Sequence, residues 1–348
     1  MNILFYTIDP QPARWVALLQ QQLPQAQITV YPDGDAGSGS VTGGSVTGGS
    51  VTGGSVTGGS VSGSHPSRSS PNPPADYAVC WKPPAGFFDG QNNITAVFNI
   101  AAGVDSILAH PAMQQGYLRE VPIVRLGDAG MAAQMEEYVL AAALRWHRKL
   151  DTYSDQQRAG VWQMLPPKKR DRVTVGVMGL GVLGTHVVQA MRRFGYSAAG
   201  WSRSAKQIAG VDCYHGADGL QSFLARTHVL VCLLPLTQDT RGILNRANLA
   251  QLPQGAHLVN IGRGQHLVEA DVLALLDDGH LGGATLDVFV EEPLPAVSGL
   301  WAHPKVLITP HVSASTLREE SMAQIAHKIL AFERGERLTD VVDRVKGY

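Results

Sequence analysis

The chain has only three cysteines in 348 residues, Cys80, Cys213 and Cys232, too few and too scattered for a disulfide framework or a zinc knuckle. Cys80 and Cys232 sit in apolar, strand-like runs, so buried free thiols are predicted and no metal is expected. An excess of charge is also lacking: 28 Lys and Arg oppose 29 Asp and Glu, a formal net charge of -1. With no basic stripe or polybasic tail, neither nucleic acid nor an anionic membrane is expected as a partner. No apolar run approaches bilayer-spanning length. The opening Met1-Asn-Ile-Leu-Phe-Tyr-Thr7 has neither a positive n-region nor a long apolar stretch, so a cytoplasmic enzyme is expected. At this length two domains are the default.

Glycine is plentiful, at 38 residues. Part of it lies in a pentapeptide repeat, Ser40-Val-Thr-Gly-Gly44, which recurs at Ser45, Ser50 and Ser55 and degrades to Ser60-Val-Ser-Gly-Ser64. Each unit offers one apolar side chain against the high entropy of Gly and Ser, so a flexible, dispensable loop insertion at about 35–72 is expected, continued by Pro71-Asn-Pro-Pro74. The alternatives are a small β-solenoid, for which the units are short, or an adhesive arm serving assembly. Without the insertion, a strand at Asn2–Tyr6, a helix at Trp15–Leu23 and a strand at Ile28–Tyr31 lead directly to a strand at Tyr77–Trp81.

Further strands are predicted at Ala96–Asn99 and Pro122–Arg125, and then a helix at Met131–Lys149 with a broad stripe of Met135, Val139, Leu140, Ala143, Leu144 and Trp146. After a polar stretch from Asp151 to Arg172, six strands alternate with helical patterns: 173–178, 196–201, 229–233, 257–261, 284–288 and 306–309. That alternation predicts an α/β fold with a parallel, doubly wound sheet. The pattern at Leu317–Phe332 and Asp340–Tyr348 follows the completed sheet and is expected to return to the first domain. The predicted architecture is two Rossmann-like domains with the active site in the cleft between them. Residues 1–130 with 317–348 would bind substrate, and 131–316, including the interdomain helix 131–149, would bind a dinucleotide.

The β-branched run Val173–Val177 collapses into Gly179-Leu-Gly181-Val-Leu-Gly184 before a helix that starts near Val182 and stops at Gly195. In this setting Gly179 permits a tight turn, Gly181 lets backbone approach a pyrophosphate, and Gly184 lets helix and strand pack closely. The helix N-terminus favours an anion. The next strand ends at Ser202-Arg203-Ser204, where an acid would otherwise bind the ribose 2′-hydroxyl. Its absence removes the attraction for NADH and the repulsion of NADPH, while Arg203, Ser202, Ser204 and Lys206 can hold a 2′-phosphate. NADPH is therefore the expected coenzyme, with NADH weaker. Arg203 as a solvated strand-end cation is the alternative.

Ligands of such a sheet bind beyond the carboxyl ends of the strands. Three of those ends deliver Arg263, Asp287 with Glu291-Glu292-Pro293, and Thr309-Pro310-His311. Arginine can grip a substrate carboxylate through two parallel hydrogen bonds. Histidine can move a proton near neutrality, and a neighbouring carboxylate fixes its tautomer and favours its charged form. His266 and His303 are rivals to His311. Arg263 could instead bridge two loops, Glu291 could replace Glu292, and Asp287 could cap its strand or bind a nicotinamide amide.

These ordered motifs, with Leu233-Leu-Pro235 and Thr240, Asn260-x-x-Arg263-Gly264, Asp287-Val-Phe and the closing Asp343-Arg-Val-Lys-Gly-Tyr348, resemble the D-isomer-specific 2-hydroxyacid dehydrogenases, most of all their bacterial glyoxylate/hydroxypyruvate reductase A group. The resemblance spans the chain outside roughly 35–72, and the repeat and Ser202 depart from it. It implies reduction of glyoxylate or hydroxypyruvate by a homodimer, with Arg263 on the substrate carboxylate and Glu292 paired with His311. It further implies a coenzyme site that includes Val182, Leu183, Leu234, Pro235, Thr240, Ile261 and Gly262. The loop Ala101-Ala102-Gly103-Val104-Asp105 would offer N–H groups to the substrate carboxylate, with Trp81 over the small pocket. A dinucleotide-sensing, corepressor-like binding protein is the alternative function.

Overall fold

Two parallel sheets organise the chain in the computed structural model, which describes residues 1–32 and 73–348. The repeat and the expected insertion at about 35–72 lie outside the described residues. The first sheet contains β1 (Asn2–Tyr6), β2 (Gln27–Val30), β3 (Tyr77–Cys80), β4 (Ala96–Asn99) and β5 (Ile123–Val124) in the order β2-β1-β3-β4-β5. The second contains β6 (Thr174–Met178), β7 (Ser197–Ser202), β8 (Asp212–His215), β9 (Val229–Cys232), β10 (Ala256–Asn260), β11 (Leu281–Leu286) and β12 (Val306–Ile308) in the order β12-β11-β10-β9-β6-β7-β8. β3, β4, β9 and β10 are buried along their whole length, as continuous apolar runs covered on both faces should be.

The connecting helices are α1 (Pro12–Gln22), α2 (Asp105–Leu108), α3 (Met131–His147), α4 (Leu150–Arg158), α5 (Val182–Arg193), α6 (Gly216–Leu224), α7 (Arg246–Leu249), α8 (Glu269–Asp277) and α9 (Arg318–Glu333). Pro12 supplies a preset φ to the first turn of α1. The chain leaves α5 through Gly195, whose φ of 96° favours glycine. α9 buries Met322, Ile325 and Ile329 beside Phe5, Trp15 and Leu19, so the C-terminal helix completes the core of the first sheet. Val341 then bridges Val124 in antiparallel fashion at that sheet's edge. No helix among the described residues is long and apolar enough to cross a membrane.

Two elements differ from the sequence-based expectation. The second sheet has seven strands rather than six, because β8 is a short edge strand whose Asp212 and His215 are exposed, so it carries no apolar run. The stretch expected to be merely polar contains α4, which buries none of its residues and therefore has no apolar stripe to announce it. β2 and β3 both run parallel to β1, on either side of it.

Candidate functional site

The end of β6 shows why its three glycines are spaced as they are. Gly179 has a φ of 102°, and a Cβ there would lie 2.6 Å from the Leu233 carbonyl oxygen. A Cβ on Gly184 would lie 1.8 Å from the Gly179 oxygen. At Gly181 no heavy atom beyond its own chain neighbours lies within 4 Å of where a Cβ would be, so this position faces open space. Gly181 is also the N-cap of α5 and has no side chain to satisfy the first N–H groups of that helix. An uncapped N-terminus behind an open glycine is a cradle for an anion.

That cradle opens on a cavity of about 950 Å³. Its wall includes Val182, Leu183, Leu234, Pro235, Thr240, Ile261 and Gly262, together with Ser202, Arg203 and Ser204. Ser202 is buried and donates its hydroxyl to the Ser204 carbonyl at 2.8 Å, which braces the turn that presents Arg203. Thr240 donates to the Pro235 carbonyl at 2.7 Å and accepts from Thr237 N at 2.8 Å, tying the loop after β9. In the order β10-β9-β6-β7, adjacent strand ends deliver Arg263, then Leu234-Pro235, then the glycine cradle, then Ser202-Arg203. The strands that lead to Arg263 and Arg203 therefore lie three strand spacings apart, about 14 Å.

Arg263 lines the cavity beside Ala102, Gly103 and Val104. A Cβ on Gly103 would fall 1.6 Å from Arg263 Nη2, so only glycine there admits the guanidinium in this pose. Arg263 Nε and Nη2 approach Asp105 Oδ1 at 3.1 and 3.0 Å, while Nη1 donates to the Gly262 carbonyl at 2.8 Å. Asp105 opens α2, so this ion pair joins the loop after β4 to the loop after β10. Asn99 Nδ2 donates to the carbonyls of Ala101 and Gly103 at 3.0 and 2.8 Å, fixing the loop that precedes α2.

His311 Nδ1 and Glu292 Oε2 are 2.8 Å apart, and Glu292 Oε1 accepts from Phe289 N at 3.0 Å. The pairing thus selects Glu292 over Glu291. His311 has a φ of 55°, a left-handed conformation costing about 1–2 kcal/mol outside glycine. Asp287 holds it there. The Asp287 carbonyl accepts from His311 N at 2.9 Å, and its carboxylate accepts from Val312 N at 2.8 Å, Ser313 N at 2.9 Å and the Thr309 hydroxyl at 2.5 Å. Because the Thr309 proton goes to Asp287, the Tyr138 hydroxyl must donate to Thr309, across 2.6 Å. Asp287 is fully buried and lies outside the cavity wall, and its carboxylate organises the 309–313 loop. Trp81, Glu292 and His311 also lie outside that wall, and the His311 side chain is 46 % exposed.

The three strand ends are nevertheless knit together. Asp287 N donates to the Asn260 carbonyl at 3.1 Å, Asn260 Nδ2 donates to the Arg263 carbonyl at 3.0 Å, and a Cβ on Gly264 would lie 1.8 Å from the Phe289 carbonyl carbon. His266, a sequence-level rival to His311, is fully buried and accepts from Arg263 N at 3.1 Å. His303 pairs with Asp277 at 3.4 Å, and its Nδ1 accepts from Lys305 N at 3.2 Å. Tyr138, which joins these networks, was not among the expected site residues, and Asp105 and Tyr348 were expected only as members of the substrate loop and the closing motif, with no partner assigned to either. Asp105 stands 158 positions from Arg263, and nothing local in the sequence signals that contact.

Burial pushes His266 down to about 4 and His257 down to about 3. Both stay neutral in the folded protein while the unfolded chain takes up protons below the ordinary value of 6.5. Stability is therefore complete above that value and is lost as pH falls from 6.5 toward about 4, by up to ~1.4 kcal/mol per pH unit for each histidine. Urea unfolding should show a clearly lower midpoint near pH 5 than near pH 7.5. An unchanged midpoint would exclude this contribution.

The comparisons with known proteins agree with this geometry. A family profile described as "D-isomer specific 2-hydroxyacid dehydrogenase, NAD binding domain" matches residues 140–313. A glyoxylate/hydroxypyruvate reductase A from Serratia proteamaculans is 41 % identical over 100 % of both chains. The chain belongs to the D-isomer-specific 2-hydroxyacid dehydrogenase family. Among solved members of this family, a dehydrogenase from Xanthobacter autotrophicus Py2 in complex with NADPH and MES matches with a TM-score of 0.84 and 36 % identity, covering 100 % of this chain and 99 % of that one. An NADPH-dependent glyoxylate/hydroxypyruvate reductase from Sinorhizobium meliloti, in complex with NADP and sulfate, matches with a TM-score of 0.82 and 34 % identity at the same coverage.

Proposed function

We propose that this dehydrogenase reduces short 2-oxo acids, glyoxylate and hydroxypyruvate, with NADPH as reductant. The observation that carries the proposal is the succession of strand ends along one cavity: a cationic, hydroxyl-rich turn at Ser202-Arg203-Ser204, a glycine cradle, and an arginine fork beside Gly103. The open Gly181 and the uncapped α5 fit a pyrophosphate, and the absence of an acid at Ser202 fits a 2′-phosphate. When bound, NADPH supplies the hydride for the carbonyl carbon. The names of the reductase relatives support this reading over a dinucleotide-sensing binding protein.

The chain's own residues do the rest. Arg263 would exchange its Asp105 partner for the substrate carboxylate and oppose the charge that develops on the carbonyl oxygen. The loop 102–104 would supply further N–H groups, with Trp81 beside the pocket. His311 donates Nδ1–H to Glu292, which leaves Nε2 to deliver the hydroxyl proton. Residues 1–130 with 317–348 would form the substrate-binding domain and 131–316 the coenzyme-binding domain. A cytoplasmic homodimer belongs to the same proposal. The exposed Trp162 and Met164, next to α4, support a second copy docking there.

Coenzyme choice tests the reading directly. Arg203→Ala should raise KM for NADPH by about tenfold and barely change that for NADH, since a charge-assisted bond to phosphate is lost. Adding Ser202→Asp should turn the preference toward NADH. Equal kcat/KM for the two coenzymes in the unaltered enzyme would contradict it.

A further inference from the structure

We propose that residues 341–348 form a strap between the two sheets, and that Tyr348 at its end positions Arg203 for the coenzyme's 2′-phosphate. The inference rests on the NADPH reading above and adds a specificity residue to it. The strap is anchored on the first sheet. Val342 N donates to the Ile123 carbonyl at 2.8 Å, and the Arg344 guanidinium donates to the carbonyls of Met113, Leu118 and Val121 at 2.8, 3.0 and 2.6 Å. A turn follows: the Asp343 carboxylate accepts from Val345 N and Lys346 N at 3.0 Å each, and its carbonyl accepts from Gly347 N at 2.8 Å. Lys346 is held by Asp343 at 2.7 Å, so its charge is already partnered.

Beyond the turn the strap meets the second sheet. Lys346, Gly347 and Tyr348 form part of the same cavity wall as Ser202, Arg203 and Ser204. Arg203 Nη2 donates to the Tyr348 hydroxyl at 2.9 Å, and the guanidinium carbon lies 5.1 Å from the Tyr348 ring centroid. A free arginine on a strand-end turn would lose much rotamer freedom on gripping an anion. Tyr348 restrains it beforehand through a hydrogen bond and a cation–π contact. The guanidinium keeps other N–H donors for a phosphate, and the Tyr348 hydroxyl, having accepted from Arg203, retains its own proton to donate to a phosphate oxygen. NADH presents only a ribose hydroxyl at that place, so its binding gains little from this arrangement.

The test is equilibrium binding, measured by titration calorimetry on the full chain and on Tyr348→Ala, Tyr348→Phe and Arg203→Ala. The probes are NADP⁺, NAD⁺, adenosine 2′,5′-bisphosphate and AMP. Tyr348→Ala should weaken NADP⁺ and the bisphosphate by about 5- to 10-fold and leave NAD⁺ and AMP within about twofold. Tyr348→Phe keeps the ring and should lose roughly two- to threefold on the two 2′-phosphorylated probes alone. Equal weakening of all four probes by Tyr348→Ala, or no weakening, overturns the inference. If Arg203→Ala discriminates against the 2′-phosphate and Tyr348→Ala does not, the strap's role falls and the coenzyme reading stands. If Arg203→Ala changes nothing, both fall.

Discussion

His311→Ala is expected to lower kcat for 2-oxo acid reduction by about 10² to 10⁴, the usual contribution of a positioned general acid. Coenzyme binding should change little, because His311 lies outside the wall of the cavity that begins at the glycine cradle. The local structure explains why an imidazole is placed there at some cost. His311 adopts a left-handed backbone that the Asp287 anchors help to hold in place, and Glu292 occupies its Nδ1. Strain retained under so many restraints fits a side chain that must point one way. Steady-state kinetics with NADPH decide the matter. Near-normal turnover in the alanine variant would remove His311 from the mechanism.

Arg263→Lys is expected to cost on the order of 10² or more in kcat/KM, although the charge is kept. The wild-type fork uses Nε, Nη1 and Nη2 together, toward Asp105 and the Gly262 carbonyl, in a space that Gly103 leaves clear. A lysine ammonium is a point donor and cannot span those positions or grip a carboxylate at two points. Both kcat and KM should suffer, since one group both binds the carboxylate and opposes carbonyl charge. If the lysine variant reduced glyoxylate as efficiently as wild type, Arg263 would be a bridge between loops and nothing more.

Much of the fold is legible in the sequence because parallel strands buried on both faces are continuous apolar runs, as at Val229–Cys232 and Ala96–Asn99. Elements without such a run escape notice. β8 is a half-exposed edge strand, and α4 buries nothing. The glycine cradle is legible for a different reason: Gly179 and Gly184 stand where any Cβ would strike backbone, so their spacing is dictated by local sterics. Long-range partnerships are not legible in this way. Asp105 meets Arg263, and Tyr348 meets Arg203 from 145 positions away, only because the chain returns across the cleft. Asp287 illustrates the remaining gap. Its place at a strand end is predictable, whereas its use as the anchor of the His311 loop depends on Thr309, Val312 and Ser313 folding back over it.

Whether the protein is an NADPH-dependent reductase of short 2-oxo acids is decided by the rate of NADPH oxidation across a small panel of such acids. Saturable turnover of glyoxylate and hydroxypyruvate is expected, with kcat/KM for NADPH exceeding that for NADH. Absence of turnover on both acids with either coenzyme would contradict it.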